Sequence, residues 1–330
     1  MKVALVGFRA SGKTTVFNAL TGLSAKGFGS GTVNLGVIKV PDPRVDGLSA
    51  LCKPKKTTFA EVAFADIPGS AEGKALDPST LATMRDQDAF ALVLAGWGDN
   101  DAAKDRVAFE DELVLADLAI VEKRLDRLKK EKGRPGEKEL LDRLAAAFGE
   151  GKSARTLDLS KDDAKFLSSF SLLSVKPVLL VLNVAEADAG KPPPQALPGA
   201  IVLSAATEVE IGQLDPADQK TFLEDLGLTE PAKNRFVRAA YALLDLISFF
   251  TTGEDEVRAW TIHKGDVARA AAGKIHSDIE RGFIRAEVIR SEDFLALGSE
   301  AKCREAAKLR MEGKEYVVQD GDVVHFRFAV

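Results

Sequence analysis

Eight residues near the start of the chain restrict its fold more than any others. Gly7-Phe8-Arg9-Ala10-Ser11-Gly12-Lys13-Thr14 fits the pattern G-x-x-x-x-G-K-[ST]. It follows the apolar segment 2–6, which reads as a buried strand. It opens Lys13-Thr14-Thr15-Val16-Phe17-Asn18-Ala19-Leu20, which reads as a helix ended near Gly22. A chance glycine-rich turn is the competing reading, and it explains neither flank. Glycines let the backbone curl so that several N–H groups face inward at phosphate oxygens, and a helix N-terminus adds positive potential. Gly7, Ala10, Ser11, Gly12, Lys13, Thr14 and Thr15 are therefore candidate nucleotide-binding residues. Lys13 supplies a point charge for the outer phosphates, and the Thr14 hydroxyl is a candidate magnesium ligand.

Apolar runs at 2–6, 33–40, 61–65, 89–95, 177–182 and 200–203 alternate at first with amphipathic stretches. That order predicts an α/β fold with a mostly parallel sheet covered on both faces. Between 100 and 171 the strands stop. Val114, Leu118, Val121, Leu125 and Leu128 make a heptad-like stripe, Gly133-Arg134-Pro135-Gly136 breaks it, and Leu140, Leu141, Leu144 and Phe148 begin another. An inserted antiparallel helical hairpin is expected there, with Lys129, Lys130, Lys132, Arg134 and Lys138 at its tip. Such a charge run is most simply a solvated surface, and contact with RNA phosphates is the sharper alternative. From about 248 a compact α+β module is expected, with strands at 257–262, 283–289, 316–319 and 323–328, a helix at 267–275 and a turn at Asp320-Gly321. The predicted organisation is a nucleotide domain in two parts, 1–99 and 172–247, a helical insertion at 100–171, and a C-terminal module at 248–330.

With 330 residues, 45% hydrophobic and 29% charged, the chain is expected to form several soluble globular domains. No run approaches the roughly 18 apolar residues that a membrane span needs, and the apolar segment at the N-terminus leaves no room for a targeting peptide. Cys52 and Cys303 have no paired spacing, which suits a reducing cytoplasm. A net charge of −5 argues against sequence-blind coating of nucleic acid, though not against a local basic patch such as Lys53, Lys55 and Lys56. His263, His276 and His325 lack metal-ligand spacing and read as structural.

Two further segments carry chemistry. Ala63-Phe64-Ala65-Asp66-Ile67-Pro68-Gly69 ends an apolar strand with an acid. After a phosphate loop, Asp66 becomes a candidate magnesium-holding residue and the Gly69 N–H a sensor of the γ-phosphate, whereas Asp-x-x-Gly alone would be an ordinary strand-ending turn. Val178-Leu179-Leu180-Val181-Leu182-Asn183-Val184-Ala185-Glu186 ends a second strand where GTPases carry Asn-Lys-x-Asp. Here Val184 replaces the lysine and Glu186 the aspartate that takes two hydrogen bonds from guanine. The extra methylene moves that carboxylate, and an unpaired buried acceptor costs about 1–3 kcal/mol, enough to reverse base preference. Ser204, Ala205 and Ala206 match a Ser-Ala-x loop closing over the base.

Taken together, these segments resemble the YchF-type, or Obg-like, ATPases, a branch of the translation-factor-related P-loop GTPases. The carrying residues include Gly12-Lys13-Thr14-Thr15-Val16-Phe17-Asn18-Ala19-Leu20-Thr21-Gly22, Val40-Pro41-Asp42-Pro43-Arg44, Lys53-Pro54-Lys55-Lys56 and Asn183-Val184-Ala185-Glu186. Farther on they include Phe222-Leu223-Glu224-Asp225-Leu226-Gly227-Leu228, Val257-Arg258-Ala259-Trp260-Thr261, Gly282-Phe283-Ile284-Arg285-Ala286-Glu287-Val288-Ile289 and Val318-Gln319-Asp320-Gly321-Asp322-Val323-Val324-His325-Phe326-Arg327-Phe328. The resemblance implies a G-type domain with a helical insertion and a C-terminal β-grasp module of the TGS type. It also implies ATP preferred over GTP, slow hydrolysis with magnesium, and association with the ribosome or its large subunit through the hairpin and the TGS-like module. A cytoplasmic monomer without membrane contact is expected.

Three departures matter. Related enzymes carry Asn at the position of Ala10, where the amide helps hold potassium, so potassium activation is not expected to carry over. In the short first switch the family's threonine corresponds to Ser30 or Thr32. Thr32, directly before a strand, is preferred as metal ligand and catalytic residue alongside Lys13. In the second switch Ser70 stands where GTPases use glutamine, leaving no obvious general base. A GTPase that tolerates Glu186 and a nucleotide-dependent binding module with negligible hydrolysis are the alternatives to an ATPase.

Overall fold

The computed structural model describes residues 1–25, 33–69 and 76–329. They form two compact units, Met1–Val37 with Ala63–Phe236, and Ile38–Val62 with Val237–Val330. In chain order the strands are β1 (Lys2–Val6), β2 (Asn34–Lys39), β3 (Lys56–Thr58), β4 (Glu61–Asp66), β5 (Ala89–Ala95) and β6 (Val178–Asn183). They continue with β7 (Ile201–Leu203), β8 (Leu246–Thr251), β9 (Glu256–His263), β10 (Phe283–Arg290), β11 (Arg310–Glu312) and β12 (Asp322–Phe328).

The first sheet has the order β2-β4-β1-β5-β6-β7. β1 runs parallel to β4 and β5, and β6 parallel to β5 and β7. All seven residues of β5 are buried, as are Val3, Ala4, Leu5 and Val6 of β1. A parallel sheet covered on both faces demands such unbroken apolar runs. Parallel pairing also collects the C-terminal ends of β1, β4, β5, β6 and β7 along one edge, where open α/β sheets bind ligands.

Between β5 and β6 stand the helices Ala102–Leu128 and Glu137–Gly149. The apolar stripe read from the sequence is their seam. Val114 and Val121 are buried, with Leu118, Leu125 and Leu128 half-buried, against Leu140, Leu141, Leu144 and Phe148. Asp117, fully buried midway along the long helix, accepts the backbone N–H groups of Leu173 at 2.9 Å and Ser174 at 2.7 Å and the Arg85 guanidinium at 3.2 Å. This ties the insertion to the returning chain. Much of the basic tip is neutralised where it stands. Lys129 pairs with Asp126, Lys138 with Asp142 and Arg134 with Asp163, while the Arg134 guanidinium lies 3.8 Å from the centroid of Phe166. Lys130 and Lys132 are exposed.

In the second unit the sheet order is β11-β10-β12-β8-β9-β3. β8 and β9 pair antiparallel, the helix Ala268–Ile275 follows, and β12 returns between β8 and β10, parallel to the first and antiparallel to the second. That is a β-grasp topology. Ala268, Ala271 and Ala272 of the helix pack with Phe249, Ile262, Val288 and Phe326. β3 adds at the edge, parallel to β9, so 38–62 groups with the C-terminal unit rather than with its neighbours in sequence.

The strands of this sheet differ in part from the sequence reading. The segment 316–319 is not a strand: it makes only the isolated bridge Val267–Val317. Its backbone instead serves the start of the helix, with Ala268 N donating to Tyr316 O at 2.7 Å and Val318 N to Asp266 O at 3.1 Å. β8 and β11, absent from the sequence reading, take its place in the sheet. The turn at Asp320-Gly321 is present, closed by Asp322 N to Gln319 O at 3.1 Å, with Gly321 at φ 88°. Among the described residues no helix is long and apolar enough to cross a membrane.

Candidate nucleotide site

The first helix, Lys13–Thr21, begins at Gly12, whose φ of 84° is left-handed and whose missing side chain leaves the first-turn N–H groups uncapped. It ends at Gly22, also left-handed, whose N–H donates to Asn18 O at 2.8 Å. The loop ahead of it is tight. A Cβ on Gly7 would lie 2.4 Å from Val93 O, and one on Gly12 2.1 Å from Asn183 Nδ2. Ala10 holds φ 63°, an uncommon conformation for a residue with a side chain. The Ser11 hydroxyl is buried and has no partner among the described residues, as expected of a group aimed at a ligand.

Lys13 is 7% exposed and its Nζ donates to Phe8 O at 2.7 Å. Burial pushes its pKa down from 10.5 to about 8, with Asp66 opposing the fall and Arg9 adding to it. Thr14 Oγ1 donates to Asp66 Oδ2 at 2.9 Å, and Asn34 Nδ2 donates to the same oxygen at 3.1 Å. Asp66, at the C-terminal end of β4, is 5% exposed. A hydroxyl and a carboxylate converging beside a phosphate loop are the hard oxygen donors that magnesium takes while keeping waters and a phosphate oxygen. Gly69 closes the corner: a Cβ there would lie 2.5 Å from both Lys13 Nζ and Gly7 O.

The residues expected on the base side divide. Asn183, 4% exposed at the end of β6, donates from Nδ2 to Ser11 O at 3.2 Å and accepts Ala205 N at 2.9 Å on Oδ1. It joins the phosphate loop to the loop after β7. Val184 N donates to Leu203 O at 2.8 Å, holding the two strand ends together. Ser204 caps the helix Ala205–Ile211, accepting from Thr207 N at 3.4 Å and Thr207 Oγ1 at 2.9 Å, which accounts for its hydroxyl. Ala206 and Glu186 are exposed, Glu186 opening a short 3₁₀ turn. Ser30, Thr32 and Ser70 lie outside the described residues.

Sequence reasoning missed Asn34, the Arg9 Nε bond to Gly69 O at 3.3 Å, and Trp97, whose ring edge would meet a Cβ on Gly12 at 3.4 Å. Each acts on a residue distant in the chain, and only Trp97, just past the end of an apolar strand, carried any local signal.

The role expected of Lys13 at the phosphates needs its positive charge, so the affinity for magnesium–nucleotide should weaken above pH 8, by up to about tenfold per pH unit until the complex's own raised pKa is reached. Folding stability without nucleotide should move the other way between pH 8 and 10.5, because the unfolded chain then holds the extra proton. Titration calorimetry across that range tests the first statement, and a flat affinity would contradict it.

Residues 246–329 match the family model YchF-GTPase_C, described as a protein of unknown function. The ribosome-binding ATPase YchF of Bacillus subtilis is 39% identical over the full length of both chains. That of Haemophilus influenzae is 39% identical over 100% of this chain and 99% of its own. The structure of the Schizosaccharomyces pombe YchF GTPase superposes with a TM-score of 0.85 at 28% identity, covering 99% of this chain and 97% of that one. Full-length identity, a matching C-terminal module and a shared fold agree: this chain belongs to the YchF family.

Proposed function

We propose that this protein is a nucleotide-dependent switch that binds magnesium–ATP on residues 7–15, hydrolyses it slowly to ADP and phosphate, and associates with ribosomes in the cytoplasm. The observation that carries the reading is the convergence of Thr14, Asp66, Lys13 and Gly69 on one corner of the sheet edge. Lys13 and the first-turn N–H groups would hold the phosphates, Thr14 and Asp66 the metal, and the Gly69 N–H the γ-phosphate. When bound, magnesium would offset charge on the β- and γ-phosphate oxygens. Thr32, with Ser30 as its alternative, is the proposed remaining ligand from the first switch. Ala10 offers no side-chain amide to potassium.

Asn183, Val184 and Glu186, with Ser204, Ala205 and Ala206, form the proposed base-reading side. The hydrogen bonds of Asn183 support this by making base and phosphate loops one assembly. We assign 1–99 and 172–247 to the nucleotide domain, except that 38–62 and 237–247 group with the C-terminal unit, 100–171 to the helical insertion and 248–330 to a TGS-type module. Ribosome association rests on the names of the bacterial relatives. GTP is the alternative nucleotide, since the fission-yeast relative is named a GTPase.

Equilibrium binding of ATP and GTP with magnesium, in potassium and in sodium, tests the reading. ATP should bind about tenfold or more tightly than GTP, and Glu186→Asp should narrow the gap. Equal affinities would remove Glu186 as the discriminator. Co-sedimentation with ribosomes in the presence of nucleotide tests the partner.

A further inference from the structure

Arg9 is the third residue of the phosphate loop. It is exposed, its Nε donates to Gly69 O at 3.3 Å, and no carboxylate pairs with it among the described residues. That one bond holds the guanidinium at Gly69 while leaving both terminal nitrogens as free donors among the described groups. Gly69 in turn is packed against Lys13 Nζ and Gly7 O. The guanidinium and the Lys13 ammonium therefore share one corner, close enough for Arg9 to hold down the Lys13 pKa. The two cations repel each other, and although Asp66 acts as a counter-charge on Lys13, no carboxylate pairs with Arg9 among the described residues, so a polyanion lying between the two cations is favoured. Neighbouring Ala10, a methyl group at φ 63°, presents no side-chain ligand to any cation that could take the place of Arg9.

We propose that Arg9 is a catalytic residue of this ATPase, an arginine finger supplied in cis by the phosphate loop itself. Its terminal nitrogens contact the γ-phosphoryl oxygens and the β–γ bridging oxygen, neutralising charge as it develops. The oxygen of a water molecule forms a bond to the γ-phosphorus while the bond to the bridging oxygen breaks. The electron pair leaves with ADP, and the proton lost by the water passes to phosphate or solvent. Arg9 stays protonated throughout. The inference rests on the reading of this site as an ATPase.

Single-turnover ATP hydrolysis and equilibrium binding, measured on the full chain for wild type, Arg9→Ala and Arg9→Lys, decide the matter. Arg9→Ala should bind a non-hydrolysable ATP analogue within about threefold of wild type and hydrolyse ATP about 10²-fold more slowly. It should also lose binding of ADP with aluminium fluoride, a mimic of the transferring phosphoryl group. Arg9→Lys should recover only part of the rate, because an ammonium lacks the planar fork. Wild-type turnover should be the same in potassium as in sodium. Full hydrolysis by Arg9→Ala overturns the proposal, and so does a severalfold rise of the wild-type rate in potassium. Failure of wild type to bind ATP would instead remove the ATPase reading beneath it.

Discussion

Lys13→Ala is expected to weaken magnesium–ATP binding by about 10²-fold or more and to abolish measurable turnover. A charge-assisted hydrogen bond contributes about 1.5–3 kcal/mol, and Lys13 is the buried cation of the loop. The fold should survive. The ammonium lies in a desolvated position with the Phe8 carbonyl as its hydrogen-bond acceptor, so its removal relieves a buried charge rather than breaking an ion pair. The thermal midpoint of the nucleotide-free variant should equal or exceed that of wild type. Wild type should gain about 2.7 kcal/mol when ATP is added at a hundred times its Kd, and the variant almost nothing at the same concentration. Unchanged affinity and turnover in this variant would mean that the loop does not hold the nucleotide.

Asn183→Ala should have the largest effect on folding. The side chain satisfies two groups from distant segments, the carbonyl of Ser11 and the N–H of Ala205, and it is 4% exposed. Stranding both is expected to cost about 2–4 kcal/mol in denaturant unfolding. Nucleotide affinity should fall as well, because the loop at 7–14 and the loop after β7 lose their common anchor. Asn183→Asp separates the two roles. It keeps an acceptor for Ala205 N, so it should fold better than Asn183→Ala, but its negative charge beside the phosphate loop should depress ATP affinity further. A loss below about 0.5 kcal/mol for Asn183→Ala would show that these bonds do not hold the loops together.

The strand at 2–6, the loop 7–14 and the helix stopped at Gly22 are local, and the structure reproduces each: β1 spans Lys2–Val6 and the helix Lys13–Thr21. The hairpin seam was legible because a 3.5-residue repeat survives in the order of residues whatever the helix packs against. The strand read at 316–319 failed because its alternating side chains imitate a strand while its N–H and C=O groups bond to the helix start. β8 was overlooked because Leu246-Ile247-Ser248-Phe249-Phe250-Thr251 straddles a composition change, and β3 because three residues carry no period.

The residue order alone determined the kind of chemistry, since a phosphate loop is built from consecutive backbone groups whose dihedrals depend on which residues are glycine. It also determined the parallel sheet, since unbroken apolar runs are stable only when covered on both faces. Only the tertiary structure decided what those residues touch. Asn34 reaches Asp66 across 32 positions, Arg9 reaches Gly69 across 60, and Asn183 reaches Ser11 across 172. Such bonds depend on which strand ends lie side by side, a property of sheet order that no local stretch of residues encodes.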